Sequence, residues 1–389
     1  MQDRVTLGAE VFLEEHLGEL KSKTVGFITN HTGLTHDLKP LINVFIERGL
    51  KIGALFGPEH GIRGEVADGA IVSDGKDPKT GIPVFSLYGK DRKPTVEMLN
   101  GLDALIFDIQ DVGARFYTFL WTMAHCLEAA AEHGLPLWVL DRPNPITGSR
   151  VEGPVLDPKF ASFVGLYPVT TRTGMTMGEV AHFVARRLEQ GPAALRVVKM
   201  RGWKRSQWWD ETGLPWVMPS PGMPTPETAT VYTGMCLFEG TNVSEGRGMT
   251  RPFETIGAPW IDAEELAEAA NALKLPGCLF RGTHFVPWFS KYKDTPCSGI
   301  QVHVTGRNAF EPVRTGLELL ILIRTMYPKA FQFRLPPPSG NYSFDRLAGG
   351  DSIRKMIEDG ANAGAIMASW KKDQAHYMGE RAKCLLYEE

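Results

Sequence analysis

The sequence predicts an α/β protein in which an open, doubly wound parallel sheet is followed by a smaller α+β domain. Apolar, β-branched runs alternate with amphipathic segments through the first half of the chain, which favours parallel strands joined by right-handed helical crossovers. The alternation ends at a proline-rich stretch, and a different pattern follows. The 389 residues are also more than one ordinary core accommodates, so two domains are expected.

Five runs in the first half are apolar at almost every position, which is typical of strands buried on both faces of a sheet. These strands are predicted at residues 24–30, 51–57, 82–89, 103–111 and 135–144. The amphipathic segments between them predict helices, since apolar residues recur at spacings of three and four. The helices are expected at residues 36–49, 94–101 and 114–134. This alternation makes the first domain Rossmann-like.

A further helix is predicted from Thr176, because Thr176 and Glu179 form a capping box. Residues 214–227 then contain five prolines, which block both a helix and a central strand. We therefore place a domain boundary in this segment. The first domain is expected at residues 1–222, and an auxiliary domain that contributes to a cleft is expected at residues 223–389.

The second half carries its own set of elements. Helices are predicted at residues 262–274, 311–328 and 351–360, and the first of them has an aspartate in the cap position. Strands are predicted at residues 278–289 and 299–306. This mixture indicates a smaller α+β domain.

Composition argues against several classes of partner. Apolar residues make up 43% and charged residues 22% of the chain, as in globular proteins, and the net charge of -3 comes without a long charged run. A nucleic-acid or anionic-membrane partner is therefore not expected. The sequence also lacks the run of about 18 apolar residues that a membrane span needs.

The N-terminal residues are charged and amphipathic, and they lack the basic start and apolar stretch of a signal peptide. The expected location is therefore cytoplasmic, or outside the cytoplasm if a leader was removed. The five cysteines are isolated from one another, with no CxxC pair, which indicates buried thiols rather than a disulfide framework.

Polar side chains collect where the predicted strands end, and in an open α/β sheet ligands bind outside the carboxyl ends of the strands. Asp108 and Asp141 have a local alternative, since they can cap a helix or hold a turn. Glu59 has none, because glycines rather than a helix follow it. The polar residues at four strand ends are Asn30 and His31; Glu59 and His60; Asp108, Gln110, Asp111 and Arg115; and Asp141, Arg142 and Asn144.

Several chemistries lack their motif. The sequence has no G-x-G-x-x-G after the first strand, no P-loop, no H-E-x-x-H and no G-x-S-x-G elbow. No cofactor is therefore predicted, and neither a zinc site nor a serine nucleophile is expected. Paired carboxylates remain, roughly 5–10 Å apart at neighbouring strand ends, which suits glycoside hydrolysis. A hard-cation site built from Asp108, Asp111 and Asp141 stays open as an alternative.

A second polar cluster lies after the boundary, at residues 238–254. Its glycines predict a folded-over loop rather than a helix. Because the cluster follows the linker directly, it can reach back over the first domain. Its polar members are Glu239, Asn242, Glu245, Arg247 and Arg251.

Six ordered motifs together resemble one known family. The motifs are GFITNHTG, LFGPEHGIRG, FDIQDVGARFYT, DRPNPITG, EGTNVSEGRGMTRPFE and GAPWI. They are similar to those of the NamZ-type exo-β-N-acetylmuramidases, glycoside hydrolase family 171, formerly a domain of unknown function. The resemblance runs from about residue 5 to the C-terminus. It implies a Rossmann-like domain, a smaller C-terminal domain and a cleft between them.

The resemblance also implies an activity, the release of terminal N-acetylmuramic acid from the non-reducing end of peptidoglycan fragments in cell-wall turnover. The family's proposed catalytic glutamate matches Glu59, to which we assign the role of general acid. Asp108 or Asp111 is the expected second carboxylate, and His60 is expected to orient Glu59 or bind a hydroxyl. Participation of the substrate's 2-acetamido group would make a protein nucleophile unnecessary.

The residues expected to bind this saccharide come from both clusters. They are Asn30, His31, Arg63, Gln110, Arg115, Tyr117, Asp141, Asn144, Glu239, Asn242, Glu245 and Arg247. The lactyl carboxylate that distinguishes N-acetylmuramic acid requires a cation, for which arginine is the best match. The candidates are Arg63 and Arg247, ranked first, and then Arg115, Arg142 and Arg251. A non-catalytic muropeptide-binding protein is the main alternative, and a metal-dependent hydrolase using the three aspartates is the second.

Overall fold

Seven strands form one sheet in the part of the chain that ends at residue 198. The computed structural model describes residues 4–64, 74–335 and 340–389. The sheet contains β1 to β6 and β9. In chain order, all strands of the described residues are β1 (Thr24–Thr29), β2 (Lys51–Gly57), β3 (Gly75–Lys76), β4 (Pro83–Ser86), β5 (Ala104–Asp108), β6 (Leu137–Leu140), β7 (Glu152–Val155), β8 (Thr170–Arg172), β9 (Leu195–Val198), β10 (Thr255–Ala258), β11 (Cys278–Phe285) and β12 (Cys297–Val304).

Helices cover both halves of the chain. They are α1 (Gly8–Val11), α2 (Leu17–Leu20), α3 (Leu41–Glu47), α4 (Val96–Leu99), α5 (Phe119–His133), α6 (Met177–Ala185), α7 (Gly191–Ala194), α8 (Pro226–Met235), α9 (Ala263–Ala272), α10 (Pro312–Met326), α11 (Ser343–Ala348), α12 (Ser352–Glu358), α13 (Ala363–Ser369) and α14 (Lys371–Ala382). A π-helical turn, Phe12–His16, joins α1 to α2. Short 3-10 helices lie at Pro158–Phe160, Trp209–Glu211 and Cys236–Gly240. No helix among the described residues is long and apolar enough to cross a membrane.

The strand order of the large sheet is β3-β4-β2-β1-β5-β6-β9. All neighbours pair in parallel except β3, which runs antiparallel to β4. Without β3, the strands run 3-2-1-4-5-6 in order of appearance, which is the order of a Rossmann sheet. The predicted doubly wound α/β fold is confirmed.

The predicted elements of this sheet are present, and all except β2, which has the predicted bounds, are shorter than expected. The five predicted strands contain β1, β2, β4, β5 and β6, and every residue of β5 is buried. Helix α5 ends at Gly134, which adopts the left-handed conformation that favours glycine. The capping box of Thr176 and Glu179 starts α6 as predicted. The edge strand β9 was missed, because four residues are too short a run to show a period.

A second sheet of three antiparallel strands, β10-β12-β11, belongs to the second half. Helix α8 packs against α10 at a point where a Cβ on Gly234 would lie only 1.8 Å from the carbonyl oxygen of Pro312. Only glycine allows this close approach between α8 and α10. The sequence did not predict α8, because its proline-rich start was taken for linker. Pro226 is tolerated there since it occupies the first helical turn.

The C-terminal segment returns to the large sheet. Tyr387 Oη donates to Asp141 Oδ2 at 2.6 Å, and the backbone N–H of Leu386 donates to Glu179 Oε1 at 2.8 Å. Arg381 Nη2 donates to the Gly174 carbonyl at 2.7 Å. The last residues therefore pack on the first domain, and the division at residue 222 stays a prediction.

Candidate active site

The turn after β2 has an unusual backbone. His60 has φ +71° and Gly61 has φ +74°, so two consecutive residues adopt the left-handed conformation. A side chain larger than glycine's is costly there, and such strain persists only where surrounding structure enforces it. The N–H of Gly61 closes the turn on the Pro58 carbonyl at 3.0 Å, and His60 is 4% exposed. The GPEHG motif is therefore a strained turn that places Glu59 beside a buried histidine.

The start of α5 holds the Glu59 side chain. Thr118 occupies the position before the first residue of α5, yet its hydroxyl does not cap the helix. Instead, Thr118 Oγ1 donates to Glu59 Oε2 at 2.7 Å. The half-buried Glu59 carboxyl is thus held at the N-terminal end of a 15-residue helix.

A cavity of about 490 Å³ opens beside this carboxyl, and both halves of the chain contribute to its wall. Its size is in the range of small-molecule sites. Five of the residues predicted from the sequence line it: Glu59, His60, Tyr117, Glu239 and Arg247. The other lining residues are Tyr88, Phe116, Thr118, Phe119, Val164, Ser220, Tyr232, Cys236, Phe289, Ser290 and Leu347.

Glu239 and Arg247 form a charged pair in the wall of the cavity. Arg247 Nη2 and Nε donate to Glu239 Oε1 at 2.8 and 3.0 Å, and the guanidinium lies 5.0 Å from the ring centroid of Phe253. Burial raises the pKa of the Glu239 carboxyl, Arg247 counteracts this, and the nearby Glu245 adds to it. Lys291 Nζ donates to Glu245 Oε2 at 2.8 Å. Among the described residues, the cavity wall therefore contains two carboxyl groups, Glu59 and Glu239, and one arginine, Arg247.

Aromatic rings form the apolar part of the wall. Tyr117 meets Phe119 and Tyr232 edge to face, with ring centroids 5.0 and 6.0 Å apart. Tyr232 also packs against Phe116 and Phe253, at 5.0 and 4.6 Å. Burial raises the pKa of the Tyr232 hydroxyl well above its ordinary value, so this group stays protonated. Such a wall suits a ligand that has both apolar faces and hydroxyl groups.

The structure places Asp108 in a buried ion pair rather than in the cavity wall. Arg142 Nη2 donates to Asp108 Oδ2 at 3.0 Å, Arg142 Nε contacts Oδ1, and both side chains are buried. Burial raises the pKa of Asp108, and Arg142 counteracts this. Arg142 also donates to the Leu34 carbonyl at 2.8 Å. This pair links the ends of β5 and β6 and stabilises the fold.

Asp111 and Asp141 are also engaged in local structure. Asp111 Oδ2 accepts a hydrogen bond from the Gly113 N–H at 2.6 Å, and burial raises the pKa of Asp111 to about 7. Asp141 accepts from Thr176 Oγ1 at 2.7 Å and from Gly178 N–H at 2.8 Å, and burial raises its pKa to about 6. The three aspartates do not converge. Within residues 4–64, 74–335 and 340–389, no three His, Cys, Asp or Glu side chains are placed to hold a metal ion.

Most of the predicted amide and imidazole ligands contact backbone groups of the protein instead. None of the five below lines the cavity. Asn30 Oδ1 accepts from the Thr32 N–H, His31 Nε2 lies 2.6 Å from the Met218 carbonyl, Gln110 Nε2 donates to the Pro143 carbonyl, Asn144 Nδ2 donates to the Met175 carbonyl and Asn242 Nδ2 donates to the Ala330 carbonyl.

The other candidate arginines have protein partners and are absent from the cavity wall. Arg63 pairs with Asp77, and Arg251 pairs with Glu254 at 2.9 Å. Arg115 is fully buried and donates to three backbone carbonyls, the nearest being Leu347 O at 2.7 Å. Burial lowers the pKa of Arg115 to about 9. Among the five candidate arginines, Arg247 is the one that borders the cavity.

Sequence reasoning missed Thr118, Tyr232 and Phe289. Thr118 directly follows Tyr117 in the FDIQDVGARFYT motif, so the motif contained the signal. Tyr232 lies on α8, which was not predicted, and Phe289 follows β11 at a distance in sequence that no pattern relates to Glu59.

Two family models together cover almost the whole chain. The model described as "Exo-beta-N-acetylmuramidase NamZ, N-terminal" matches residues 25–227, and the corresponding C-terminal model matches residues 230–387. The chain is also 48% identical, over 385 residues, to the "Peptidoglycan beta-N-acetylmuramidase NamZ" of Bacillus subtilis (strain 168). That match covers 99% of this chain and 92% of the relative.

Two crystal structures of DUF1343 family proteins from Bacteroides fragilis share the fold. One superimposes with a TM-score of 0.92 at 36% identity and covers 99% of both chains. The other has a TM-score of 0.76 at 30% identity and covers 100% of both chains.

Proposed function

The chain belongs to the NamZ exo-β-N-acetylmuramidase family, and from that premise we propose that it releases terminal N-acetylmuramic acid from peptidoglycan fragments. The family is one of glycosidases, so the chain is a hydrolase of glycosidic bonds. The observation that carries the proposal is the placement of Glu59 and Glu239 in one cavity of about 490 Å³. Most glycoside hydrolases use two carboxyl groups that flank the scissile glycosidic bond.

Glu59 is the general acid of the proposed mechanism. It protonates the oxygen of the scissile glycosidic bond as that bond breaks. Glu239 replaces Asp108 and Asp111 as the second carboxyl group, because it borders the cavity and they do not. Arg247 donates two hydrogen bonds to Glu239 and favours its charged form, against the burial that raises the pKa of this carboxyl group.

Glu239 stabilises positive charge that develops on the sugar ring, either directly or by orienting the 2-acetamido group. The Glu239 carboxyl group borders the cavity beside the ring of Tyr232 and is shielded from solvent by burial, so its electrostatic interactions are stronger than in water. Thr118 keeps Glu59 at the cavity through its hydrogen bond of 2.7 Å, and His60 supports the turn that presents it.

Arg247 is the proposed ligand of the lactyl carboxylate. An arginine can bind a carboxylate through two parallel hydrogen bonds, and this one already lies at the cavity. Its contact with Glu239 would then couple recognition of the lactyl group to the catalytic pair.

A non-catalytic muropeptide-binding protein would use the same cavity, so turnover decides between the two functions. Purified protein is incubated with nitrophenyl β-glycosides of N-acetylmuramic acid and N-acetylglucosamine, and separately with an oligosaccharide ended by muramic acid. We expect release from the muramic glycoside and free monosaccharide before any internal fragment. Binding without turnover would contradict the proposal, and early internal fragments would contradict the exo action.

Three further expectations stay predictions. They are the domain division at residue 222, the cytoplasmic location and the absence of a nucleic-acid partner. Cell fractionation tests the location, and limited proteolysis at the proline-rich segment tests the division.

A further inference from the structure

Trp288 exposes a large apolar surface beside the cavity. Its side chain is 68% exposed, whereas tryptophan is usually well buried. The residue lies just beyond β11, in a loop at residues 286–296 that leads into β12. A large apolar side chain that stays exposed on a backbone held by hydrogen bonds is a candidate for contact with a ligand.

This loop is held firmly. The Trp288 N–H donates to the Gly248 carbonyl at 3.1 Å, and the Asp294 N–H closes the loop on the Pro287 carbonyl at 2.8 Å. Lys291 Nζ donates to the carbonyls of Phe238 and Val243 and to Glu245, all within 2.8 Å. The indole is therefore carried by a backbone that is bonded to the 238–248 segment.

The same loop contains stored backbone strain. Ser290, Tyr292 and Asp294 have φ values of +69°, +56° and +58°, in the left-handed region that side chains larger than glycine's rarely adopt. Strain of this kind is concentrated at ligand sites, where it keeps a side chain in place.

Trp288 is continuous with the cavity wall. The next two residues, Phe289 and Ser290, line the cavity, and the rings of Trp288 and Phe289 are 4.5 Å apart. Gly248 follows the cavity residue Arg247, and a Cβ on Gly248 would lie 2.5 Å from the Phe289 carbonyl oxygen. The indole therefore packs against the ring of Phe289, which is a residue of the cavity wall.

We propose that Trp288 is the platform for the sugar on the leaving side of the scissile bond, a second binding subsite next to the catalytic cavity. This inference rests on the proposed function. If the cavity encloses the terminal sugar, the next pyranose must lie at the rim. A pyranose has an apolar face of C–H groups, and a flat indole can bury that face while the hydroxyl groups stay in water.

The subsite adds binding energy away from the reacting bond. Such energy is used to hold the substrate in its reactive position, so its loss lowers kcat/KM for the full substrate and spares one that lacks the leaving sugar. This difference separates a substrate platform from a residue that merely maintains the loop.

The test compares two substrates in three variants. The substrates are a disaccharide of N-acetylmuramic acid linked to N-acetylglucosamine, and the β-fluoride of N-acetylmuramic acid, whose leaving group is too small to reach the rim. The variants are Trp288→Ala, Trp288→Phe and, as a control, Leu279→Ala, which removes an exposed apolar side chain from β11 of the same hairpin.

We expect Trp288→Ala to lower kcat/KM for the disaccharide by about tenfold and for the fluoride by less than about twofold. Trp288→Phe should keep most of the disaccharide activity, and Leu279→Ala should match the wild type on both substrates. Equal losses on both substrates, or no loss on either, would overturn the inference.

Two further results have distinct meanings. Wild-type protein that hydrolyses neither substrate would overturn the proposed function, and the inference would fall with its premise. A wild-type dimer in sedimentation that Trp288→Ala converts to monomer, with disaccharide activity retained, would assign the indole to a contact between two copies and overturn the subsite alone.

Discussion

At the residue scale, Arg247 connects substrate recognition to the catalytic pair, because it borders the cavity and contacts Glu239. Replacing Arg247 with Met should lower kcat/KM for the muramic glycoside by about 10- to 150-fold, the effect of losing a hydrogen bond between charged groups. Any weak activity on the glucosamine glycoside should fall less, since that sugar has no lactyl carboxylate and loses only the effect of Arg247 on Glu239. Steady-state kinetics on both glycosides measures this.

Arg63→Met is the matched control, because Arg63 pairs with Asp77 and does not border the cavity. It should leave the preference between the two glycosides unchanged. If Arg63→Met shows the selective loss and Arg247→Met does not, the assignment of the lactyl group to Arg247 is wrong.

Glu59 could be predicted from local sequence, but its partner could not. A glutamate in a turn flanked by glycines has no helix to cap, and that anomaly is visible without a structure. Asp108 ends β5 in a similar way, yet Arg142 neutralises it. That pairing spans 34 residues, and no spacing rule reveals it. Glu239 borders the cavity only because the 238–254 segment folds against it, and it is therefore the partner that we propose.

At the scale of elements, the turn between β5 and α5 contains a buried carboxyl group. Burial raises the pKa of Asp111 from 3.8 to about 7, so its proton is bound more tightly in the folded state. The contribution of protonated Asp111 to the unfolding free energy is therefore fully present below pH 4, and it is lost as the pH rises through 7. Relative to Asp111→Asn, wild type should lose about 2–4 kcal/mol of unfolding free energy between pH 4.5 and 7.5.

Urea unfolding of both proteins at the two pH values measures this difference. If the unfolding free energies of wild type and Asp111→Asn change with pH by the same amount, Asp111 does not titrate as described. The kcat of Asp111→Asn is a second measurement, and it should stay within about threefold of the wild-type value. A loss of 100-fold or more would restore Asp111 as the catalytic partner that the sequence allowed.

The doubly wound fold was predictable, but the position of the cavity was not. Rossmann sheets bind ligands where the strand order reverses, here between β1 and β5. In this chain that point is closed, since Thr29 Oγ1 donates to the Asp108 carbonyl and the Gln110 N–H donates to Thr32 Oγ1, both at 3.0 Å. The cavity lies instead beyond the end of β2, at the start of α5.

At the scale of the whole molecule, the C-terminal residues connect back to the large sheet through Tyr387. Tyr387→Phe removes the hydroxyl that donates to Asp141 at 2.6 Å and keeps the ring packed edge to face on Trp203. The variant should lose about 1.5–3 kcal/mol of unfolding free energy, as expected for a hydrogen bond to a charged or partly charged group. Urea unfolding measures this, and kcat should be unchanged.

If Tyr387→Phe is as stable as wild type, the C-terminal contact does not help to hold the fold. Sequence reasoning did not anticipate this contact, because Asp141 and Tyr387 lie 246 positions apart. The alternation of strands and helices predicts only how elements that follow each other in sequence are arranged. The contact of the C-terminus with the large sheet depends on tertiary packing, which this pattern does not contain.

The central claim is that Glu59 donates the proton to the leaving sugar, and the dependence of activity on the leaving group tests it most directly. We compare Glu59→Gln, Glu239→Gln and the exposed control Glu227→Gln on the disaccharide and on a nitrophenyl glycoside. Glu59→Gln should lose about 100- to 10,000-fold in kcat on the disaccharide and far less on the nitrophenyl glycoside, which needs little protonation.

Glu239→Gln should lose activity on both substrates alike, since charge develops on the sugar ring in either case, and Glu227→Gln should match wild type. Circular dichroism and urea unfolding confirm that each variant is folded. If Glu59→Gln keeps more than about a third of wild-type kcat on the disaccharide, Glu59 is not the general acid. If the leaving-group dependence appears in Glu239→Gln instead, the two glutamates have exchanged roles and the proposed mechanism is contradicted.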